Sequence, residues 1–125
     1  MFEEILVLLG ISLFIVSLDS IYLYTNRKYF DCIFKRIQGT SIKLNIIGAL
    51  IAYVSIICLL YLFLILKKSS YLDAFLLGVL TYAIYHGTNM ATFKHWDIKM
   101  MMFDSLWGGT LFLTTLVFYN SLLKY

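Results

Sequence analysis

Residues 44–66 read LNIIGALIAYVSIICLLYLFLIL, a run without one charged side chain. A helix needs about 20 mostly apolar residues to cross a hydrocarbon core of about 30 Å. This run meets that length, and because lipid offers no water to the backbone it is expected to be helical. The rest of the chain is consistent with a bilayer as solvent. Of its 125 residues 62% are hydrophobic and 14% charged, and there is no proline. Soluble domains carry about a quarter charged residues.

Working outward from Leu44–Leu66, three further runs stand out. Ala74–Phe93 is uncharged when His86 is neutral, Ile5–Tyr24 spans by admitting Asp19, and Met100–Leu123 spans by admitting Asp104. The expected fold is an all-α membrane protein, one integral membrane domain over residues 1–125 with four spans (5–24, 44–66, 74–93 and 100–123) in an antiparallel bundle. The first and last runs also fit shorter buried or interfacial helices. Glu3 and Glu4 stand where a signal peptide carries basic residues, so Ile5–Tyr24 is read as a span. The connections KKSSYLD and KHWDIK are short enough to make successive helices neighbours.

Lysine and arginine set an expected orientation. Arg27, Lys28, Lys35, Arg36, Lys43, Lys94 and Lys99 lie on the side of the first and third connections, against Lys67, Lys68 and Lys124 on the other. Seven against three places those connections in the cytoplasm and both termini outside or in a lumen. In the first connection Phe30, Ile33, Phe34 and Ile37 recur at helical spacing, with Lys28, Asp31, Lys35 and Arg36 opposite. That pattern fits an amphipathic helix in the membrane interface, its cations Arg27, Lys28, Lys35 and Arg36 toward lipid headgroups; a basic loop is the plainer alternative. Cys32 and Cys58 form no CxxC pair or disulfide framework.

With the spans drawn, the intramembrane polar residues fall at one depth. Asp19, His86, Asn89 and Asp104 each lie four to seven residues from the cytoplasmic end of their span, roughly 6 to 11 Å below it at 1.5 Å per residue. Tyr82, His86, Asn89 and Phe93 share one stripe of the third span; Asp104, Gly108, Leu111 and Thr115 share one of the fourth. The two stripes are expected to face each other, Gly108 and Gly109 admitting a close backbone. An isolated carboxylate in hydrocarbon costs about 2.5 to 3.5 kcal/mol on insertion scales, so each acid needs a partner or a proton. The candidate polar cluster is Asp19, Tyr82, His86, Asn89 and Asp104. Plainer readings exist for each: Asp104 as the N-cap of the last helix, Asp19 reaching the headgroups or Tyr22, and His86 with Asn89 as interhelical bonds. Trp96 and Trp107 read as interfacial anchors and packing residues.

The motifs of several chemistries are missing. There is no HxxxH set, GxSxG elbow, P-loop, HExxH or TVGYG filter. No metal or other cofactor is expected, since Asp19, His86 and Asp104 alone are a sparse ligand set. Membrane lipids and a second copy of the chain are the expected partners, and nucleic acid is not.

The motifs LDSIYL (18–23), YAIYHGTNMATFKHW (82–96) and FDSLWG (103–108) together resemble the family called domain of unknown function 2177. Asp19 falls on the aspartate of that family's L-D-x-x-W-L. Tyr82, Tyr85, Thr88, Asn89, Ala91, Thr92, Trp96, Asp104, Trp107 and Gly108 fall on its Y-x-T-Y-D-x-T-N-x-A-T-x-x-x-W and D-x-x-W-G. His86 stands where that pattern has aspartate, Ile84 where it has threonine, and Asp97 where it has proline. The resemblance implies a four-helix membrane protein, carries no established activity, and suggests a role accessory to lipid metabolism. From the residues, the leading expectation is a polar cluster that binds a lipid headgroup or small polar solute near the cytoplasmic leaflet. Rival expectations are an oligomeric proton-coupled transporter or channel, a membrane enzyme acting on lipid with Asp104 or His86 as acid or base, and a scaffold.

Overall fold

The computed structural model describes residues 1–124, and over them the chain is all-helical. Its helices are α1 (Phe2–Thr25), α2 (Arg27–Gln38), α3 (Ile46–Leu59), α4 (Tyr71–Thr92) and α5 (Ile98–Phe118). α3 and α5 each run on into a π-helical stretch, Leu60–Ile65 and Tyr119–Leu123.

Local chemistry sets the boundaries. Asn26 ends α1, its side-chain amide donating to the Tyr22 carbonyl at 2.9 Å, and α2 follows at once. Gly39, at φ 80°, closes α2 in the left-handed conformation that glycine adopts without strain. Asn45 caps α3 by accepting from the Gly48 N–H. Ser70 and Asp73 form a reciprocal capping box at the start of α4. Asp97 caps α5 by accepting from the Met100 N–H at 2.7 Å. The N-cap reading of Asp104 is thereby overturned, because the helix begins before Met100 and carries Asp104 well inside it.

Three stretches are long and apolar enough to cross a membrane: Phe2–Thr25, Ile46–Ile65 and Ile98–Leu123. These are the expected first, second and fourth spans, each with shifted ends. α4, the expected third, has the length but falls short in apolar character because it carries His86, Asn89 and Asp73. Only 6% of the Ile46–Ile65 window is buried within the protein. Leu50, Ile51 and Val54 stand more than half exposed, as do Leu9 and Leu13 of α1. Soluble monomers rarely expose apolar surface on that scale, and lipid is the solvent it suits.

α5 is the hub. It buries Met100, Ser105, Gly108, Gly109, Leu111, Phe112, Thr115 and Leu116, more than any other helix. Against α4 the approach is backbone to backbone: a Cβ on Gly78 would collide with the Gly108 carbonyl and lie 2.8 Å from the Gly109 Cα. A Cβ on Gly109 would meet Val79 at 2.6 Å and Phe75 at 2.8 Å. Sequence spacing pointed to Gly108 and Gly109 but not to Gly78, their counterpart. α1 runs antiparallel to α5, with Gly10 against Leu123 and Phe14 stacked on Phe118 at 4.3 Å. Ile11, Ile15, Leu60, Leu64, Leu111, Phe112 and Leu116 form the core between α1, α3 and α5.

α2 carries the expected stripe, with a correction to what it touches. Phe30 and Ile33 are buried against Tyr22 and Met100, and Phe34 meets Trp96 edge-on at 5.5 Å. The apolar face packs on the protein itself, while Lys28, Lys35 and Arg36 remain exposed.

The glycine contact yields a paired expectation. Gly78→Ala forces α4 off α5 and destabilises the protein by about 1–3 kcal/mol, the usual cost of overpacking. Gly87→Ala, whose Cβ meets nothing within 4 Å, leaves stability unchanged or raises it. Thermal unfolding of the two variants in one detergent checks the contrast.

Candidate functional site in the membrane-embedded polar network

Asp104 on α5 sits between α1 and α4. Its Oδ1 accepts from the Tyr22 hydroxyl at 2.9 Å, and its Oδ2 lies 2.5 Å from His86 Nε2. The Trp96 indole N–H reaches the other ring nitrogen, Nδ1, at 3.2 Å. An indole nitrogen only donates, so Nδ1 accepts and the His86 proton sits on Nε2, shared with Asp104. His86 is 2% exposed, which leaves these two groups as its polar surroundings.

Asp19 on α1 is held the same way. Oδ2 accepts from the Tyr53 hydroxyl of α3 at 2.6 Å and Oδ1 from the Trp107 indole of α5 at 2.9 Å. The Tyr22 and Trp107 rings stack at 4.4 Å and 7°, which joins the two halves. One protein donor thus serves each of the four carboxylate oxygens, the compensation a carboxyl group needs away from water. The network touches α1, α3, α4 and α5 together.

Of the cluster residues named from the sequence, the structure brings three to the network. Asp19, His86 and Asp104 converge. Tyr82 contributes through its ring, which packs on Gly108, and makes no hydrogen bond to either carboxylate. Asn89 is half-buried beside Tyr85 and stands outside the network, since its place on α4 is turned from His86 by about 60°. Asp19 does not bond Tyr22; that tyrosine serves Asp104 instead. Trp96 packs on Phe34 and Trp107 on Tyr22, and both indoles donate to the site. Tyr53 was missed. Its signal was a tyrosine within an aliphatic run, whose hydroxyl requires a partner when buried. Among the described residues no three His, Cys, Asp or Glu side chains are gathered as a metal would need, so Asp19, His86 and Asp104 are not such a set.

A cavity of about 600 Å³ opens beside Asp104, between α1, α2, α4 and α5. His86, Asp104 and Tyr85 line its inner end, Phe30, Phe34 and Met100 its apolar wall, and Arg27 and Lys28 its rim. Asp31, also at the rim, already accepts from the Ile42 N–H at 2.9 Å and the Ser41 hydroxyl at 3.3 Å. Arg27 lies over the Tyr24 ring at 4.1 Å and gives one nitrogen to the Tyr24 carbonyl. Lys28 makes no ion pair or hydrogen bond among the described residues. The donors the cavity can still offer are those of Lys28 and the Arg27 nitrogens not given to Tyr24, while each oxygen of Asp104 and Asp31 already accepts a bond. Of the other two expected headgroup cations, Arg36 lies 3.9 Å from Asp97 and Lys35 is exposed, and neither lines the cavity.

A family model described as a predicted membrane protein, DUF2177, matches residues 4–121. The chain belongs to this family. No curated protein and no solved structure matches it. The matched segment of this DUF2177 protein contains the whole network, from Asp19 through Tyr22, Tyr53, His86 and Trp96 to Asp104 and Trp107.

Proposed function

We propose that this DUF2177 protein is a single four-span membrane domain that binds the anionic head of a membrane amphiphile at its cytoplasmic face. The observation that carries the reading is the cavity in which Arg27 and Lys28 meet an apolar wall and a carboxylate whose two oxygens each already accept a bond. Cations at a membrane surface attract anionic headgroups by about 1 kcal/mol each. Apolar flanks such as Phe30 and Phe34 suit the glycerol and upper-chain region below the charge.

The topology belongs to the same proposal. α4 crosses beside α1, α3 and α5 as the third span of an antiparallel bundle. Its support is that Leu72, Leu76, Leu80 and Ile84 turn an apolar face outward, while His86 is satisfied from within. The lysine and arginine count supports a cytoplasmic α2 and α4–α5 connection, with both termini on the far side. In intact cells a membrane-impermeant maleimide then leaves the exposed Cys32 of α2 unlabelled, and in inverted vesicles it labels it. Labelling of Cys32 from outside reverses the orientation.

Catalysis gains no support from the geometry. Both ring nitrogens of His86 are engaged, one by Trp96 and one by Asp104, which leaves no free lone pair for a substrate proton.

The binding reading is tested by native mass spectrometry of protein released from nanodiscs of mixed anionic and zwitterionic lipid. The parent retains anionic lipid above its share of the bilayer. Arg27→Gln with Lys28→Gln lowers that retention about tenfold or more, from about 1 kcal/mol per cation. Lys67→Gln with Lys68→Gln, at the opposite side, leaves it unchanged; an equal loss there contradicts the site.

A further inference from the structure

A second cavity, of about 570 Å³, lies between α1, α3 and α4. One wall is Leu44, just ahead of α3, with Ala49, Ala52, Ile56 and Leu59 of α3, and it faces Thr81 and Tyr82 of α4. It exists because of how α3 leans. The body of α3 rests on α1, and the approach to α4 comes at the π-helical stretch Leu60–Ile65, so the other end of α3 stands away from α4. Alanines on the inner wall leave the gap unfilled.

The lining of this second cavity is chemically quiet. Thr81 spends its hydroxyl on the Leu77 carbonyl at 2.6 Å, and Ser55 on the Ile51 carbonyl at 2.7 Å. Tyr53 spends its own on Asp19, whose two oxygens each accept one bond, which leaves the Tyr82 hydroxyl as the one lining hydroxyl of α3 or α4 with no such bond apart from Tyr85 at the mouth. What remains is mainly carbon, which suits a methylene chain. Leu23, Tyr85 and Asp104 line both cavities, so the apolar groove continues from the inner end of the cationic one. Charge at one end and carbon at the other match an amphiphile, and a single groove takes a single chain.

Resting on the headgroup reading above, we propose that the two cavities form one bipartite site for a single-chain amphiphile with a phosphate-like anionic head. The head lies between Arg27 and Lys28, and the chain passes Tyr85 and Leu23 into the groove against Ala49 and Ala52. A diacyl lipid held by its head leaves its second chain in the bulk bilayer. A second copy of the protein seated in the groove, and a headgroup bound with its chain in the bulk bilayer, are the competing occupants.

The test uses the full-length protein in nanodiscs of zwitterionic lipid, doped at equal mole fraction with hexadecyl phosphate or dihexadecyl phosphate and read by native mass spectrometry. Inorganic phosphate is added to a third sample. The parent retains one hexadecyl phosphate, at about tenfold or more over the two-chain compound, whose second chain the groove does not accommodate. Ala52→Trp, at a position already exposed to the groove, removes that retention; Ala49→Phe repeats the block at a second position. Matching thermal unfolding to the parent confirms that both variants are folded.

Five results overturn the proposal. Equal retention of one- and two-chain phosphates does so, as does undiminished hexadecyl phosphate in both folded variants; each leaves the headgroup reading standing. A dimer mass in the parent that Ala52→Trp abolishes assigns the groove to a second copy. Retention unaffected by Arg27→Gln with Lys28→Gln, or saturation by inorganic phosphate alone, removes the headgroup reading or the need for a chain, respectively.

Discussion

Two carboxylates surrounded by lipid-facing helices must find their hydrogen-bond donors inside the protein, and the arrangement of this chain follows from that requirement. Asp104 draws Tyr22 from α1 and His86 from α4; Asp19 draws Tyr53 from α3 and Trp107 from α5. Those four bonds fix which face of each long helix turns inward. Removing one donor from such a site leaves a buried acceptor unserved, at about 1–3 kcal/mol. Hydrophobic attraction between helices cannot set the same constraint in a bilayer, because lipid tails are as apolar as leucine.

Close packing makes the bonds reachable. Gly78 against Gly108 and Gly109 lets α4 and α5 meet backbone to backbone, and the His86–Asp104 contact follows one to two turns along. α2 then covers the end of the helices beside the network, its Phe34 on Trp96 and its Phe30 on Tyr22. With the carboxylates satisfied, the unspent polar capacity beside them belongs to Arg27 and Lys28. The proposed anion site rests on this contrast between carboxylate oxygens that already accept bonds and cations with donors to spare.

Much of the fold was legible because its signals are one-dimensional. Run length marked the long helices, and the 3.6-residue stripe of Phe30, Ile33, Phe34 and Ile37 marked α2. Depth was legible for the same reason: a fixed rise per residue brought Asp19, His86 and Asp104 to one level before any contact was known. Rotation about each helix axis was not legible. It decides that Asn89 misses the network and that Tyr53 joins it, and spacing within one run says nothing of where a neighbouring helix stands. Reach also escaped the reading. An indole is long enough to pack and to donate at once, which is why Trp96 and Trp107 belong to the site as well as to the packing. α4 is the least apolar of the long helices for a readable reason, since it carries His86 and Asn89.

The central claim is that His86 and Asp104 meet inside the protein under the Trp96 indole, and nitrogen-15 resolved NMR of His86 in lipid nanodiscs tests it most directly. The account predicts a proton on Nε2, an unprotonated Nδ1, and a through-space correlation from the ring to the Asp104 carboxyl carbon that survives Trp107→Phe. A proton on Nδ1, or a ring with no correlation to Asp104, would contradict it, because α4 and α5 would then not be joined as described.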